Sequence, residues 1–340
     1  MKVSIVVPTY NQGPFIEDCL SSIQKQTYQK LEVIIQDSLS TDQTEEICRA
    51  YVRRDCRFHY FREKDTGQSD AINRGLARCT GEIWTWICSD DYYAGFESLS
   101  AVLGRLNALQ LQENRVVGVF GDAQYVTQDG YFINLYYNQT RDLTVEDFKM
   151  TWPLAQPSAF LFREAVVQAG GVDPKLYLGM DLDLFLKILK DGRKLVYVPQ
   201  MVVNIRIQPN SKSVKLRRKT AENALTIVKK HFGDYGVPLE SAYVKEFAIA
   251  KRLEVTEKIR NALWLFFPFR NVVKALISDL KHRAHLYMDP KCKEKGLGIF
   301  LFRFVWGSYQ RVKWYGFYPI KRRVVGCIEL IMRSKGVVIK

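Results

Sequence analysis

The sequence predicts a doubly wound α/β domain with a mostly parallel sheet, followed by a basic, aromatic-rich helical region. Three observations carry this reading. Strand and helix signals alternate at about 30 residues per unit through the first half, the spacing of βαβ units. The 340 residues are 47% apolar and 25% charged, the composition of a folded chain with a large core. At about 150 residues per domain, that length allows two domains. The charge is also divided. Residues 1–210 hold 22 basic and 26 acidic side chains, whereas residues 211–340 hold 28 and 10. Residues 1–213 are therefore assigned to the α/β domain and 214–340 to the basic region.

The elements follow in order. Val3–Val7 (VSIVV) is β-branched and reads as a buried strand. From Phe15 to Gln26, Ile16, Cys19, Leu20 and Ile23 share one helical face. Leu31–Ile35 is a second strand. Ser40 and Gln43 have capping-box spacing ahead of a helix over Thr44–Val52. Arg57–Phe61 is a short third strand, and Ser69 caps a helix over Asp70–Arg78. Ile83–Cys88 (IWTWIC) is a fourth strand, and Val116–Phe120, Ala159–Phe162 and Leu195–Val198 are further candidates. Helices are expected over Arg217–Phe232 and Val244–Phe267.

Ligands of such sheets sit beyond the carboxyl ends of the strands. There the sequence places Pro8-Thr9-Tyr10-Asn11, then Asp37, then Ser89-Asp90-Asp91. Neither GxGxxG nor GxxxxGK[ST] occurs in this region, which argues against a dinucleotide fold and a P-loop. Carboxylates beside a nucleoside diphosphate repel it unless a divalent cation bridges them, and oxygen ligands suit Mg²⁺ or Mn²⁺.

These segments resemble glycosyltransferase family 2, the inverting nucleotide-sugar transferases of GT-A fold, over about residues 3–213. VSIVVPTYNQGPFIEDCLSSIQKQTY (3–28) resembles the family's opening strand, loop and helix. QDSLSTDQT (36–44) and EKDTGQSDAINRGL (63–76) resemble its D-x-S-x-D-x-T and D-x-G-x-x-D-A-x-N segments. GEIWTWICSDDYY (81–93) resembles the strand leading to the metal motif, and GGVDPKLYLGMDLDLFLKILKDG (170–192) resembles the segment holding the base. The resemblance implies that Thr9, Tyr10 and Asp37 hold the nucleoside and that Asp65 and Asp70 border the nucleotide-sugar. It implies that Asp90, with Asp91 beside it, holds Mg²⁺ or Mn²⁺, and that Asp181 is the general base. A UDP-sugar is the donor the family favours. Two positions depart from the pattern: Cys88 stands at the first acid of D-x-D, and Gln208 stands where Arg-x-His is common.

Plainer roles remain open at several of these residues. Asp37 suits a helix cap, Asp90-Asp91 a turn after a strand, and Asp181 and Asp183 the first turn of a helix. Trp84 and Trp86 suit the core better than sugar stacking, and Gln156-Pro157-Ser158 is either an acceptor-side segment or a loop. A non-catalytic transferase-like nucleotide-binding scaffold is the main rival, supported by Cys88 and Gln208. A nucleotidyltransferase is disfavoured because PTYNQG is neither basic nor glycine-rich.

The seven cysteines lack CxxC spacing and read as free thiols in a reducing compartment. Asn138-Gln139-Thr140 is a sequon without a signal sequence, and no run of 18 apolar residues occurs. A cytoplasmic protein is expected, peripheral on the inner face of the cell membrane. WLFFPFR (264–270) and IFLFRFVWGSYQRVKWYGFYPIKRR (299–323) interleave rings and cations as an anionic membrane surface requires. A helical region packing those rings on itself is the alternative, and nucleic acid is not an expected partner. A membrane-facing region beside a nucleotide-sugar site suggests a lipid-linked saccharide acceptor in surface-polysaccharide assembly.

Overall fold

The computed structural model describes residues 1–109, 115–136, 140–149, 152–208 and 211–233. Its sheet of nine strands runs β3-β2-β1-β4-β8-β6-β9-β5, with β7 paired to β6. The parallel ladders join β1 (Val3–Thr9), β2 (Leu31–Asp37), β3 (Phe58–Arg62) and β4 (Ile83–Trp86), and join β6 (Val116–Thr127) to β9 (Lys194–Ile207). β8 (Ala159–Phe162) runs antiparallel between β4 and β6, while β5 (Tyr92–Tyr93) and β7 (Phe132–Leu135) close the edges. The GT-A-type mixed α/β reading is thus the observed architecture, mostly parallel along its ladders.

Alternation along β1 explains the two layers. Val3, Ile5 and Val7 join one core cluster with Ile16, Cys19, Leu20 and Ile23 of α1 (Gly13–Gln24) and with residues of α2 (Thr44–Arg54) and α4 (Ser98–Leu109). Val6 points the other way and packs with Ile72 and Leu76 of α3 (Gln68–Arg78). That second cluster also holds residues of α5 (Arg163–Gln168) and α6 (Met180–Ile188). Gly75 is required at the α3–β1 crossing, where an added Cβ would lie 2.4 Å from Val6 Cγ1. Buried Glu32 in β2 is tolerated because bonds offset its burial. Desolvation pushes its carboxyl up, but Lys2, Ser4 and Thr80 donate to it and hold it at about 2.

Two expected caps are corrected. Ser40 does not cap α2; its hydroxyl donates to Asp37, and the Thr44 N–H is met by Asp42 at 3.0 Å. Ser69 does not cap α3 either; its hydroxyl donates to the Leu176 carbonyl at 2.7 Å, and Gly67, at φ +133°, precedes the helix. Each hydroxyl is engaged by a residue distant in sequence instead: Ser40 Oγ accepts the Asn11 N–H at 2.9 Å, and Ser69 is turned to Leu176. After a short α7 (Lys212–Lys215), α8 (Arg217–Phe232) lies beyond residue 213, yet its Ile227 and Val228 are buried in the same core as α6. The stretches 244–267, 264–270 and 299–323, Asn138 and Gln139 of the sequon, Cys292 and Cys327 lie outside the described residues. Among the described residues no helix is long and apolar enough to cross a membrane.

The loop leading to α6 is hung on α3. Asn73 receives the Val172 N–H at 3.0 Å and donates to the Val172 carbonyl at 2.7 Å. Gly171 makes that approach possible, with φ +68° and an ideal Cβ position only 2.6 Å from Asn73 Oδ1. Gly171→Ala is expected to cost about 1–3 kcal/mol from backbone conformation alone, read by denaturant unfolding. An unchanged midpoint and slope would contradict the tight approach.

Candidate active site

The carboxyl ends of β1, β2 and β4 form one rim. Thr9 ends β1 opposite Asp37 in register; it is buried and its hydroxyl has no hydrogen-bond partner. Tyr10 next to it is 58% exposed. Asn11, at φ +50°, ties this loop to the next: its N–H donates to Ser40 Oγ, and its Oδ1 accepts the Thr41 N–H. Asp37 is fully buried and its oxygens are occupied, Oδ1 by the N–H and hydroxyl of Ser40 and Oδ2 by the Tyr60 hydroxyl. Its observed work is to fix the 38–41 turn at the wall of the rim.

Asp65 and Asp70 shape the neighbouring turn. Asp65 accepts the Gly67 N–H at 2.9 Å; Asp70 accepts the Thr66 N–H at 3.0 Å and pairs with Arg74. Pairing with Arg74 is the main reason the Asp70 carboxyl sits below its ordinary value. Gln68 follows, donating to Cys88 Sγ at 3.3 Å while accepting from Lys212 Nζ at 3.1 Å. Lys212 also stands 4.2 Å from the centre of the Tyr177 ring, and burial holds its ammonium below the usual lysine range.

The acidic motif is the electrostatic centre. Donor atoms of Cys88, Asp90 and Asp91 lie within 4.8 Å of one another. Burial raises both carboxyls, and Asp90 raises Asp91 further. The hydrogen bonds they accept come from uncharged groups: Gln208 Nε2 reaches Asp90 at 3.2 Å and the Arg206 backbone N–H reaches Asp91 at 2.9 Å. Gln208 thus occupies the acidic site directly from the end of β9. The Arg206 guanidinium turns away to Asp18 at 2.7 Å, between the Phe15 and Tyr92 rings. A buried carboxylate beside a half-buried one is costly unless a cation joins them, so the donor set fits Mg²⁺ or Mn²⁺.

Asp181 and Asp183, two residues apart in the first turn of α6, have different fates. Asp181 is half-buried in the first turn of α6. Burial of its surroundings pushes its carboxyl up to about 6, against hydrogen bonds from the Leu182 N–H, its own N–H and the Trp152 indole. Asp183 is fully buried and clasped by Lys187 at 2.8 Å, Lys230 at 3.1 Å and His231 at 2.8 Å, locking α6 to α8. Burial opposes its charge, but those donors prevail and hold the carboxyl below its ordinary value. A depressed carboxylate stabilises the fold above its unfolded value near 4, and that contribution fades as pH falls through the folded value. Asp183→Asn is accordingly expected to cost about 1–3 kcal/mol at pH 7, the scale of hydrogen bonds to a charged group. The gap in Tm between the two proteins should narrow below about pH 4; a gap independent of pH would contradict the ion pairing.

Other residues take structural places. Trp84 and Trp86 pack together in the core, ring centres 5.1 Å apart. Gln156–Ser158 is a buried 3₁₀ turn whose Gln156 amide donates to the Trp86 carbonyl at 2.8 Å. Sequence reading missed Asn73, Lys212 and Trp152. Asn73 had a visible signal, a polar residue at a fixed place in a family segment; Lys212 and Trp152 stand in no motif.

Comparison with known proteins bears on the whole rim. Residues 4–169 match the family model described as Glycosyl transferase family 2. The resemblance to that family is thus shown over those residues. Relatives include Glycosyltransferase GlyG of Streptococcus pneumoniae, 35% identical over 147 residues, 43% of this chain and 46% of GlyG. The chain thus spans about half the length of that relative. GalNAc(5)-diNAcBac-PP-undecaprenol beta-1,3-glucosyltransferase of Campylobacter jejuni is 32% identical over 36% of this chain and 38% of its own. The GT-A fold is shared with S. aureus TarS 1-349 in complex with UDP-GlcNAc, at TM-score 0.55 and 16% identity over 84% and 88% of the two chains. It is shared too with mannosyltransferase PcManGT of Pyrobaculum calidifontis in complex with GDP-Man and Mn²⁺, at TM-score 0.53 and 23% identity over 82% and 86%.

Proposed function

We propose that this chain is an inverting glycosyltransferase that moves a sugar from a nucleotide-sugar, a UDP-sugar by family preference, to an acceptor hydroxyl. The observation that carries the reading is Asp181. It is an acid at a helix N-terminus whose carboxyl stands at about 6, poised between its two protonation states near neutral pH. As an ionised base it takes the proton of the acceptor hydroxyl while the oxygen attacks the anomeric carbon from the face opposite the diphosphate. One displacement inverts the centre, so no nucleophilic serine or cysteine is needed. Asp90 and Asp91 hold a divalent cation, which when bound neutralises charge on the departing diphosphate. Thr9, Tyr10 and Asp37 border the nucleoside, with Asp65 and Asp70 on the nucleotide-sugar side.

The acceptor in this reading is a lipid-linked saccharide of surface-polysaccharide assembly, met at the inner face of the membrane. Its support is the basic, aromatic sequence beyond residue 213 and the lipid-linked substrate named for the Campylobacter relative. Calorimetry with UDP, GDP, dTDP and CMP, each with Mn²⁺ and with EDTA, tests the donor site. Binding of one diphosphate that disappears in EDTA supports the reading. No binding by folded protein would favour a non-catalytic scaffold. Co-sedimentation with anionic and neutral vesicles tests the surface claim, and equal, negligible binding to both would remove it.

A further inference from the structure

We propose that Cys88 is itself a ligand of the cation site, and that its sulfur makes the site prefer a softer, thiolate-accepting divalent ion such as Cd²⁺ over Mg²⁺. This rests on the reading of Asp90 and Asp91 as cation-binding residues and adds what this chain's own departure from D-x-D does there.

Position comes first. The Cys88 sulfur and one oxygen from each of Asp90 and Asp91 lie within 4.8 Å of one another. An ion about 2.3 Å from sulfur and about 2.1 Å from oxygen spaces three surrounding donors about 3.6–3.8 Å apart, so an inward shift of each donor by about half an ångström closes the set. The sulfur is also presented to the rim. Cys19, Cys48 and Cys79 are buried, whereas Cys88 is partly exposed. Its sulfur accepts the Gln68 amide at 3.3 Å, and Gln68 is steadied by Lys212. A ligating group oriented by a neighbouring amide is the arrangement expected around a bound metal.

Chemistry gives the direction of the preference. Mg²⁺ requires hard oxygen ligands in near-octahedral order and gives up water reluctantly. Exchanging one carboxylate for sulfur therefore weakens the site for Mg²⁺ more than for ions that accept thiolate. As the sulfur–metal bond forms, the thiol proton passes to solvent, and no oxidation state changes. The exchange also removes one negative charge from the motif before binding, which lessens repulsion between the buried groups.

The test uses the full chain and the variants Cys88→Ser and Cys88→Asp, each checked for folding by circular dichroism. Cd²⁺ is titrated in alone, with UDP and with GDP, while the ultraviolet sulfur-to-cadmium charge-transfer band is followed. Mg²⁺ and Mn²⁺ affinities are measured by calorimetry under the same conditions. The wild-type chain should show the band. Cys88→Ser should lose its tight component with at least a ~10-fold fall in Cd²⁺ affinity, and Cys88→Asp should gain at least ~10-fold in Mg²⁺ affinity relative to wild type. A band and affinities unchanged in Cys88→Ser would overturn the inference, assigning the signal to other cysteines. In that outcome, Mg²⁺ and Mn²⁺ binding lost on Asp90→Ala would leave the acidic site standing. No binding of any cation to the wild-type chain would overturn both.

Discussion

Asp181→Asn is expected to lower turnover about 10²–10⁴-fold while leaving the fold and nucleotide affinity near wild type. The amide keeps the size of the side chain and the bonding role of its oxygen toward the Leu182 N–H, and it removes only the ability to take a proton. pH sharpens the test. Burial raises the Asp181 carboxyl to about 6, so the ionised base predominates above that value and is lost below it. The wild-type rate should fall on the acid side with an apparent midpoint near 6. The Trp152 indole opposes the shift by bonding the charged form. Trp152→Phe should therefore move the acid limb to higher pH at little cost in plateau rate. Retention of more than about a tenth of wild-type turnover by Asp181→Asn would remove the base assignment.

Asp90→Ala is the second large effect. Cation-dependent nucleotide binding should be lost, with turnover falling at least about 10²-fold, since a Lewis-acid cation supplies several kcal/mol of charge stabilisation. Arg206 and Gln208 already meet the acidic pair through an N–H and an amide, neither of which carries the charge that a diphosphate needs offset. Calorimetry in Mn²⁺ and EDTA reads the loss directly. Equal nucleotide affinity in the two buffers, for wild type and variant alike, would remove the cation from the reading.

Much of this arrangement was legible in the residues. Val3–Val7, Leu31–Ile35 and Ile83 onward are β-branched or aromatic runs with no competing period, and they form the parallel half of the sheet as expected. The acids at the strand ends were legible because strand ends are where polar residues interrupt apolar runs. What local pattern could not express was competition at a distance. Ser40 and Ser69 have the spacing of caps, yet their hydroxyls meet the Asn11 N–H and the Leu176 carbonyl instead, partners set by loops meeting in three dimensions. The same holds for Asp181 and Asp183. Two identical side chains in one helical turn differ because burial prevails at Asp181, whereas donors from Lys187 and α8 prevail at Asp183. β6 and β9 were expected as short strands, but their mutual pairing carries them to 12 and 14 residues.

The clasp of Asp183 by Lys187, Lys230 and His231 bears on how such chains can be recombined. The family match ends at residue 169, and the last strand ends at Ile207, so either would look like a natural seam for exchanging C-terminal regions between relatives. A cut after Ile207 would strip the buried Asp183 of two of its three partners and uncover Ile227 and Val228, whereas one after residue 169 moves α6 and α8 together. A unit that keeps its N-terminal α6 must run through Phe232, and chimeras joined beyond that residue keep the helix that anchors α6.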